Sequence, residues 1–389
     1  MVIPKGFPKS VGRVGSRLYG FPCFPYSVIS MACSSGIWLH RLGHECIVSG
    51  FRALRRDLIR YSQKRTSRIL VHGVTQLVTP GSMAMKIMLV SVIGLLTALG
   101  FAAQTPSDRA AGLMTPGQFQ ALPSKPADHR LSYGTDASQF GELRVPSGVG
   151  PHPVAILIHG GCWKAEYGSL RDLAPIADML KAKGIATWNI EYRRLPQAGS
   201  GWPGTYLDVG RGVDYLRSIA VQNHLDLTRV IVVGHSNGGQ MAMWVAARSR
   251  LPKSSLIYVS DPLPIRGAID LAGIIDMEAF ISAEQQICGG AVVEQMLGGK
   301  PAEVPDHYAQ ASANKMLPLG VPQTFIWGQR DQFNPASLDE KYTQTAEHAG
   351  DPARMVRLPE VGHFEIASPF SATWPAVESE ILSLLAKRP

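Results

Sequence analysis

From residue 128 onward the chain alternates between two hydrophobic rhythms. Short runs recur at residues 154–158, 185–191, 229–233, 266–271, 323–327 and 354–358, each too short for a helix and mostly rich in strand formers. Between them, stretches 170–183, 206–223, 238–248, 338–348 and 374–387 carry apolar residues at helical spacing. Strands that alternate with helices predict an α/β fold, a mainly parallel sheet covered by helices on both faces. Residues 131–146, with Leu131, Tyr133, Leu143 and Val145 on short alternations, predict a leading antiparallel pair. Residues 274–320 break the rhythm and are read as an insertion over the strand ends, where a lid would sit. No internal repeat is visible.

Upstream of this stretch the pattern changes. Residues 104–127 are rich in Pro, Ala, Ser and Gly and are expected to form a tether to the 128–389 domain. Before them, Lys86 precedes an apolar run of about 15 residues, 87–101, short for a membrane span of about 20 residues but suited to the core of a secretory signal. Residues 83–103 are therefore expected to be a signal peptide cleaved after the Gly100-Phe101-Ala102 stretch; a single membrane anchor is the alternative. Residues 1–82 show no sustained periodicity, and with a signal beginning at Met83 or Met85 they are expected to be a non-native upstream extension, with a basic targeting extension as the alternative. The expected location is the periplasm or the exterior, with no stable membrane span in the mature protein.

Charge reinforces that division. The whole chain carries 38 Lys and Arg against 30 Asp and Glu, a formal +8, which taken alone points to nucleic acid or anionic lipid. Residues 1–82 hold 12 of the basic residues and only Glu45 and Asp57 among the acids, which leaves 26 basic and 28 acidic residues beyond them. The globular part is near neutral and lacks the basic footprint of a nucleic-acid binder. At 45% hydrophobic and 17% charged, the composition also excludes disorder, collagen and a simple coiled coil.

The chemistry is concentrated at the ends of three runs. The run 229–233 leads straight into Gly234-His235-Ser236-Asn237-Gly238-Gly239 and then a helical pattern. This is the arrangement that holds a serine hydroxyl out on a sharp strand-to-helix turn, with glycines where side chains would collide. A serine hydroxyl needs a base, and the base needs an orienting carboxylate. Asp331 follows one run and His363 another, which gives the order Ser236, Asp331, His363. His235 is the rival base and Asp276 the rival acid. The run 154–158 ends in His159-Gly160-Gly161-Cys162-Trp163. There the amide of Gly161, with Gly160 or Cys162, would join that of Asn237 to hold a developing oxyanion. Trp163, Trp202 and Phe364 are candidate pocket walls, each equally able to be a core aromatic. Without residues 1–102 only Cys162 and Cys288 remain; a bridge between the oxyanion loop and the insertion is plausible in an oxidising compartment, with two buried thiols as the alternative.

The elbow and the H-G-G loop together resemble the α/β-hydrolase fold, in its esterase group. The H-G-G-x-W form is similar to the kynurenine formamidase-like and related carboxylesterase branches. The resemblance spans about residues 128–389. It implies a serine hydrolase working through an acyl-enzyme, with no metal or organic cofactor, on small-molecule esters first and amides or peptides second. A hydrolase-fold binding module without activity is the remaining class. Asn237 departs from the small residue usual after the nucleophile, and its amide is expected to be able to enter the pocket and alter substrate choice.

Overall fold

The computed structural model describes residues 112–333 and 336–386. The signal peptide and the upstream extension expected at 1–103 lie outside the described residues. Helix α1 (Pro116–Gln120) opens the described chain. Strands β1 (His129–Ser132), β2 (Phe140–Arg144) and β3 (His152–Ile158) follow, then helix α2 (Ala174–Ala182), strand β4 (Ala186–Ile190), and helices α3 (Gly204–Asp214) and α4 (Leu216–Ile219). Next come strand β5 (Leu225–His235), helix α5 (Asn237–Ala247), strand β6 (Ala268–Leu271), and helices α6 (Met277–Cys288), α7 (Val292–Leu297) and α8 (Pro305–Ala311). Strand β7 (Gln323–Gly328), helix α9 (Ala336–His348), strand β8 (Ala353–Leu358) and helix α10 (Trp374–Ala386) complete it.

The eight strands form one sheet in the order β1-β2-β4-β3-β5-β6-β7-β8. The β1–β2 and β2–β4 pairs are antiparallel and the rest parallel, as the alternating rhythm predicts. This is the α/β-hydrolase fold. Its central strands are buried on both faces, so they read as continuous apolar runs whose side chains divide by parity. In β5, Val230 and Val232 join one core with α3 and α5. Ile231 and Val233 join the other with α2 and α10.

Two segments differ from the sequence reading. Residues 274–320, read as an insertion over the strand ends, also belong to the packed core: α6, α7 and α8 bury Phe280, Val293, Met296, Leu297 and Tyr308 with α3 and α5. The described part of the expected tether, 112–127, is folded onto the domain. Thr115 caps α1 in a capping box with Gln118, Pro116 sits in its first turn, and Phe119 is buried. That Thr-x-x-Gln pattern ahead of an apolar residue is a helix-start signal in its own right. The Pro, Ala and Gly around it masked it.

From β3 the chain moves to β4 on one side and returns as β5 on the other. The C-terminal ends of β3 and β5 therefore flank the point where the winding of the sheet reverses, the place where open α/β sheets leave a crevice. Ile158 and Gly234 are paired there, which brings the H-G-G loop and the serine turn side by side.

Candidate active site

At the end of β5, Ser236 has φ 56° and ψ −129°, a conformation costly for a side chain and held only where the surroundings over-determine it. The surroundings are backbone. A Cβ on Gly234 would run into the carbonyl of Gly238, and one on Gly238 into the carbonyl oxygens of Ile158 and His159. The Ser236 amide donates to the Leu271 carbonyl (2.9 Å), and its own carbonyl accepts from Gly239 N (2.8 Å). The Asn237 N–H lies in the first turn of α5, where a helix has no intrahelical acceptor to offer.

The base loop follows β8. His363 Nδ1 donates to Asp331 Oδ2 at 2.8 Å, with both side chains buried. Asp331 stands in the turn after β7, where its other oxygen accepts from Phe333 N (2.7 Å). The rivals have other work. Asp276 caps α6, accepting from the amides of Glu278 and Ala279 and from Asn314 Nδ2. His235 Nε2 donates to the His363 carbonyl at 2.9 Å. Burial, then the neighbouring His363 and His159, pushes its pKa down to about 3, so it is a neutral strut under the base loop.

After β3 the backbone passes through positive φ at three successive residues, Gly161 (112°), Cys162 (52°) and Trp163 (53°). A Cβ on Gly160 would lie 2.9 Å from Ser236 Cβ, so only a glycine lets this backbone so close to the serine. Side chains fix the loop from behind. His159 bonds the Gly160 carbonyl through Nδ1 (2.8 Å) and Glu191 Oε1 through Nε2 (3.0 Å), and stacks on Tyr192 (4.6 Å). Glu191 also accepts from Leu170 N (3.2 Å) and pairs with Arg194 (2.9 Å). Burial alone would raise the Glu191 carboxyl, but the attraction and hydrogen bond of His159, with Arg194 and the Tyr192 amide, hold it below its ordinary value. Cys162 is bonded to Cys288 at the end of α6, with Cα atoms 5.8 Å apart: the bridge that the cysteine count made plausible.

These elements enclose a cavity of about 410 Å³ lined by Gly160, Gly161, Ser236 and His363. Its aromatic wall differs from the one expected. Phe364 lines it, joined by Phe119, Tyr167 and Phe333, none of which carried a sequence signal for the site. Trp163 does not line it: the positive φ turns its ring into the core beneath the loop, fully buried. Trp202 stacks on His307 (4.6 Å) and meets Tyr206 (5.4 Å), joining α3 to the insertion. The Asn237 amide is also absent from the cavity. It is buried and donates to Tyr192 Oη (3.1 Å), which donates to the His159 carbonyl (2.8 Å), so it ties the elbow to the oxyanion loop. Among the described residues no group of three or more His, Cys, Asp or Glu is placed to hold a metal ion.

A hydroxyl on a strained turn, an imidazole bonded to a carboxylate, and a glycine loop lining the same cavity are an arrangement able to carry out acyl transfer. Residues 144–343, which carry the elbow, the loop and Asp331, match the BD-FAE family. The chain belongs to that family. Esterase EstD of Thermotoga maritima is 26% identical over 214 residues, 52% of this chain and 47% of the relative, so the match spans about half of that protein's length. Among solved structures, a truncated carbohydrate esterase from gut microbiota has a TM-score of 0.56 at 20% identity, over 67% of this chain and 99% of the other. Esterase B from Lactobacillus Rhamnosis (HN001) has a TM-score of 0.58 at 18% identity, over 78% of this chain and 96% of the other. At these identities the structures show a shared fold. The family match ends before His363 and begins after α1.

Proposed function

We propose that the chain is an exported serine hydrolase that cleaves small carboxylic esters through an acyl-enzyme intermediate. The observation that carries this reading is the His363–Asp331 hydrogen bond of 2.8 Å at a cavity shared with Ser236 and the glycine loop. His363 Nε2 takes the proton of Ser236 Oγ as the oxygen attacks the ester carbonyl, while Asp331 keeps the imidazole in the Nδ1–H form. The oxyanion is held by the amides of Gly161 and Asn237, with Gly160 or Cys162 beside them, each such donor contributing roughly 3 to 4 kcal/mol. His363 then protonates the leaving alkoxide, and a water activated by the same base releases the acid and restores the serine.

Esters come first because the relatives are named as esterases; amides on the same apparatus are the second substrate class in the test. A cavity of about 410 Å³ with four aromatic walls favours acyl groups of roughly two to six carbons or a compact aromatic acyl group, because overpacking outweighs the roughly 0.8 kcal/mol gained per buried methylene. Export is supported by the apolar run 87–101 and by the Cys162–Cys288 bridge, a bond that persists in oxidising compartments.

The test is fluorophosphonate labelling of the chain, followed by a panel of esters and amides. Ser236→Ala should remain folded and lose labelling and turnover, by a factor on the order of 10⁶. Labelling that survives this substitution would remove the mechanism. A wild-type protein that neither labels nor turns over would favour the inactive binding module. Expression from Met83 should yield an exported product with a new N-terminus near Ala103 or Gln104, read by intact mass.

A further inference from the structure

The segment ahead of the sheet is bound to the catalytic loops at both of its ends. The Met114 amide donates to the Glu365 carboxylate, and the other oxygen of Glu365 accepts from Gly362 N (3.1 Å), beside the base. At the far end Gln120 Nε2 donates to the Tyr167 carbonyl at 2.6 Å. Between these anchors Phe119 is 3% exposed. Its ring packs on His235 and on Phe364, both with centroids 5.3 Å away. Phe364 and Phe333 in turn lie 5.1 Å and 4.9 Å from the ring of His363. Phe119 and Gln120 both line the cavity.

We infer that Phe119 is a specificity-determining residue that sets the size of the leaving alcohol. The inference rests on the esterase reading and deepens it. The base must come within hydrogen-bond reach of the leaving oxygen to protonate it, so the alcohol of a bound ester lies on the His363 side of the cavity, while the carbonyl oxygen faces the glycine loop. The walls on the His363 side are the ring cluster of Phe333, Phe364 and Phe119. Phe333 and Phe364 flank the triad acid and base in sequence. Phe119 arrives from a separate segment, pinned by the Glu365 and Tyr167 contacts, outside the residues that match the family. Its ring closes the cavity from a segment that carries none of the three residues of the Ser236, Asp331, His363 set, which suits its size to setting selectivity.

The experiment compares the full chain with Phe119→Ala and Phe119→Trp on two substrate series. One series varies the alcohol at a fixed acetyl group, from phenyl to 1-naphthyl acetate. The other varies the acyl chain at a fixed p-nitrophenol, from acetate to hexanoate. The naphthyl-to-phenyl ratio of kcat/KM should rise about tenfold in Phe119→Ala, the scale on which a small apolar change in a pocket discriminates, and fall in Phe119→Trp. The acyl profile should keep its wild-type shape in both. A general loss of packing would lower every ester alike and leave both ratios unchanged, so that outcome overturns the inference, as does a shift confined to the acyl series. If Phe119→Ala fails to fold, the direction of the Phe119→Trp ratio decides. A wild-type chain with no turnover and no fluorophosphonate label overturns the esterase reading and this inference with it.

Discussion

The elbow and the oxyanion loop leave adjacent strands at the same level of the sheet, Ile158 opposite Gly234, yet different forces hold them. The elbow is fixed by backbone against backbone: Gly234 and Gly238 fit because any side chain would enter a carbonyl group. The oxyanion loop is fixed by side chains from distant segments: His159 on Glu191, Glu191 on Arg194 and Leu170 N, and Cys162 on Cys288. The carboxylates behind the two turns differ accordingly. Asp270 sits under the elbow in space that Gly239 and Gly273 leave open, where burial and then Asp339 raise its pKa well above the ordinary value. Glu191, also buried but surrounded by donors, has its pKa held below the ordinary value. A buried carboxyl beside a second acid is pushed toward its neutral form, whereas one met by several donors is pushed toward its charged form.

The comparison is most sharply tested at Gly238. Gly238→Ala should destabilise the fold by about 3 kcal/mol or more, at the top of the overpacking range, because backbone carbonyls cannot rotate away. Denaturant titration measures it, and a wild-type midpoint would show that the elbow is softer than its geometry implies.

The bridge comes next. Replacing both Cys162 and Cys288 by Ser opens a loop of 126 residues' separation and should cost 2–4 kcal/mol, about the usual worth of a native bridge. The wild-type protein should lose the same stability on adding dithiothreitol, while the double variant is indifferent to it. The elbow, with no covalent tie, should keep Ser236 labelling in the reduced protein at a slower rate.

Glu191→Gln probes the side-chain network. Without its charge the His159 and Arg194 contacts weaken, and the loop amides shift from the oxyanion position. A displacement on the 1 Å scale costs about 10²-fold in kcat, with KM changed far less. Because the folded pKa of Glu191 lies below its ordinary value of 4.5, the stability it confers is present above pH 4.5 and is lost as the pH falls through the folded value. The stability gap between wild type and Glu191→Gln should therefore narrow in acid.

Asp270→Asn should show the opposite sign and the smallest effect. A carboxyl raised above 3.8 in the fold penalises folding once the unfolded chain can ionise, and the penalty grows as the pH rises above that value. The amide removes it while keeping an oxygen for the Gly273 amide, which Asp270 holds as an acceptor. Asp270→Asn is expected to raise Tm at pH 8 by a few degrees, roughly what 1 kcal/mol yields in a domain of this size, and to converge with wild type near pH 4. A lowered Tm at pH 8 would show that Asp270 is charged and partnered like Glu191.

The two turns also differ in how far the sequence announced them. G-H-S-N-G between a strand pattern and a helix pattern was legible because the residues that make the turn are contiguous, although the carbonyls of Ile158 and His159 that demand a glycine at 238 come from the end of β3. The order of Asp331 and His363 was legible for a similar reason: each follows a strand run directly. The H-G-G loop was visible as glycines, but not its support. Nothing in the sequence links Glu191 to His159 or Asn237 to Tyr192, since those contacts exist only once β3, β4 and β5 lie side by side. The aromatic wall shows the same limit. Trp163 is next to the loop in the chain yet turns into the core, while Phe119, more than forty residues upstream, lines the cavity.

The sequence by itself determined the alternation of strands and helices, the parallel sheet with its antiparallel start, the strained serine turn, and the strand-end positions of Asp331 and His363. These follow from periodicity and from local sterics, which act over a few residues and leave a readable pattern. The tertiary structure decided which aromatics line the cavity, that the segment ahead of the sheet is one of its walls and the insertion a part of the core, and which buried carboxyl has its pKa raised and which lowered. Those outcomes depend on what each side chain meets across the fold, and a side chain's neighbours in space are set by the packing of whole elements.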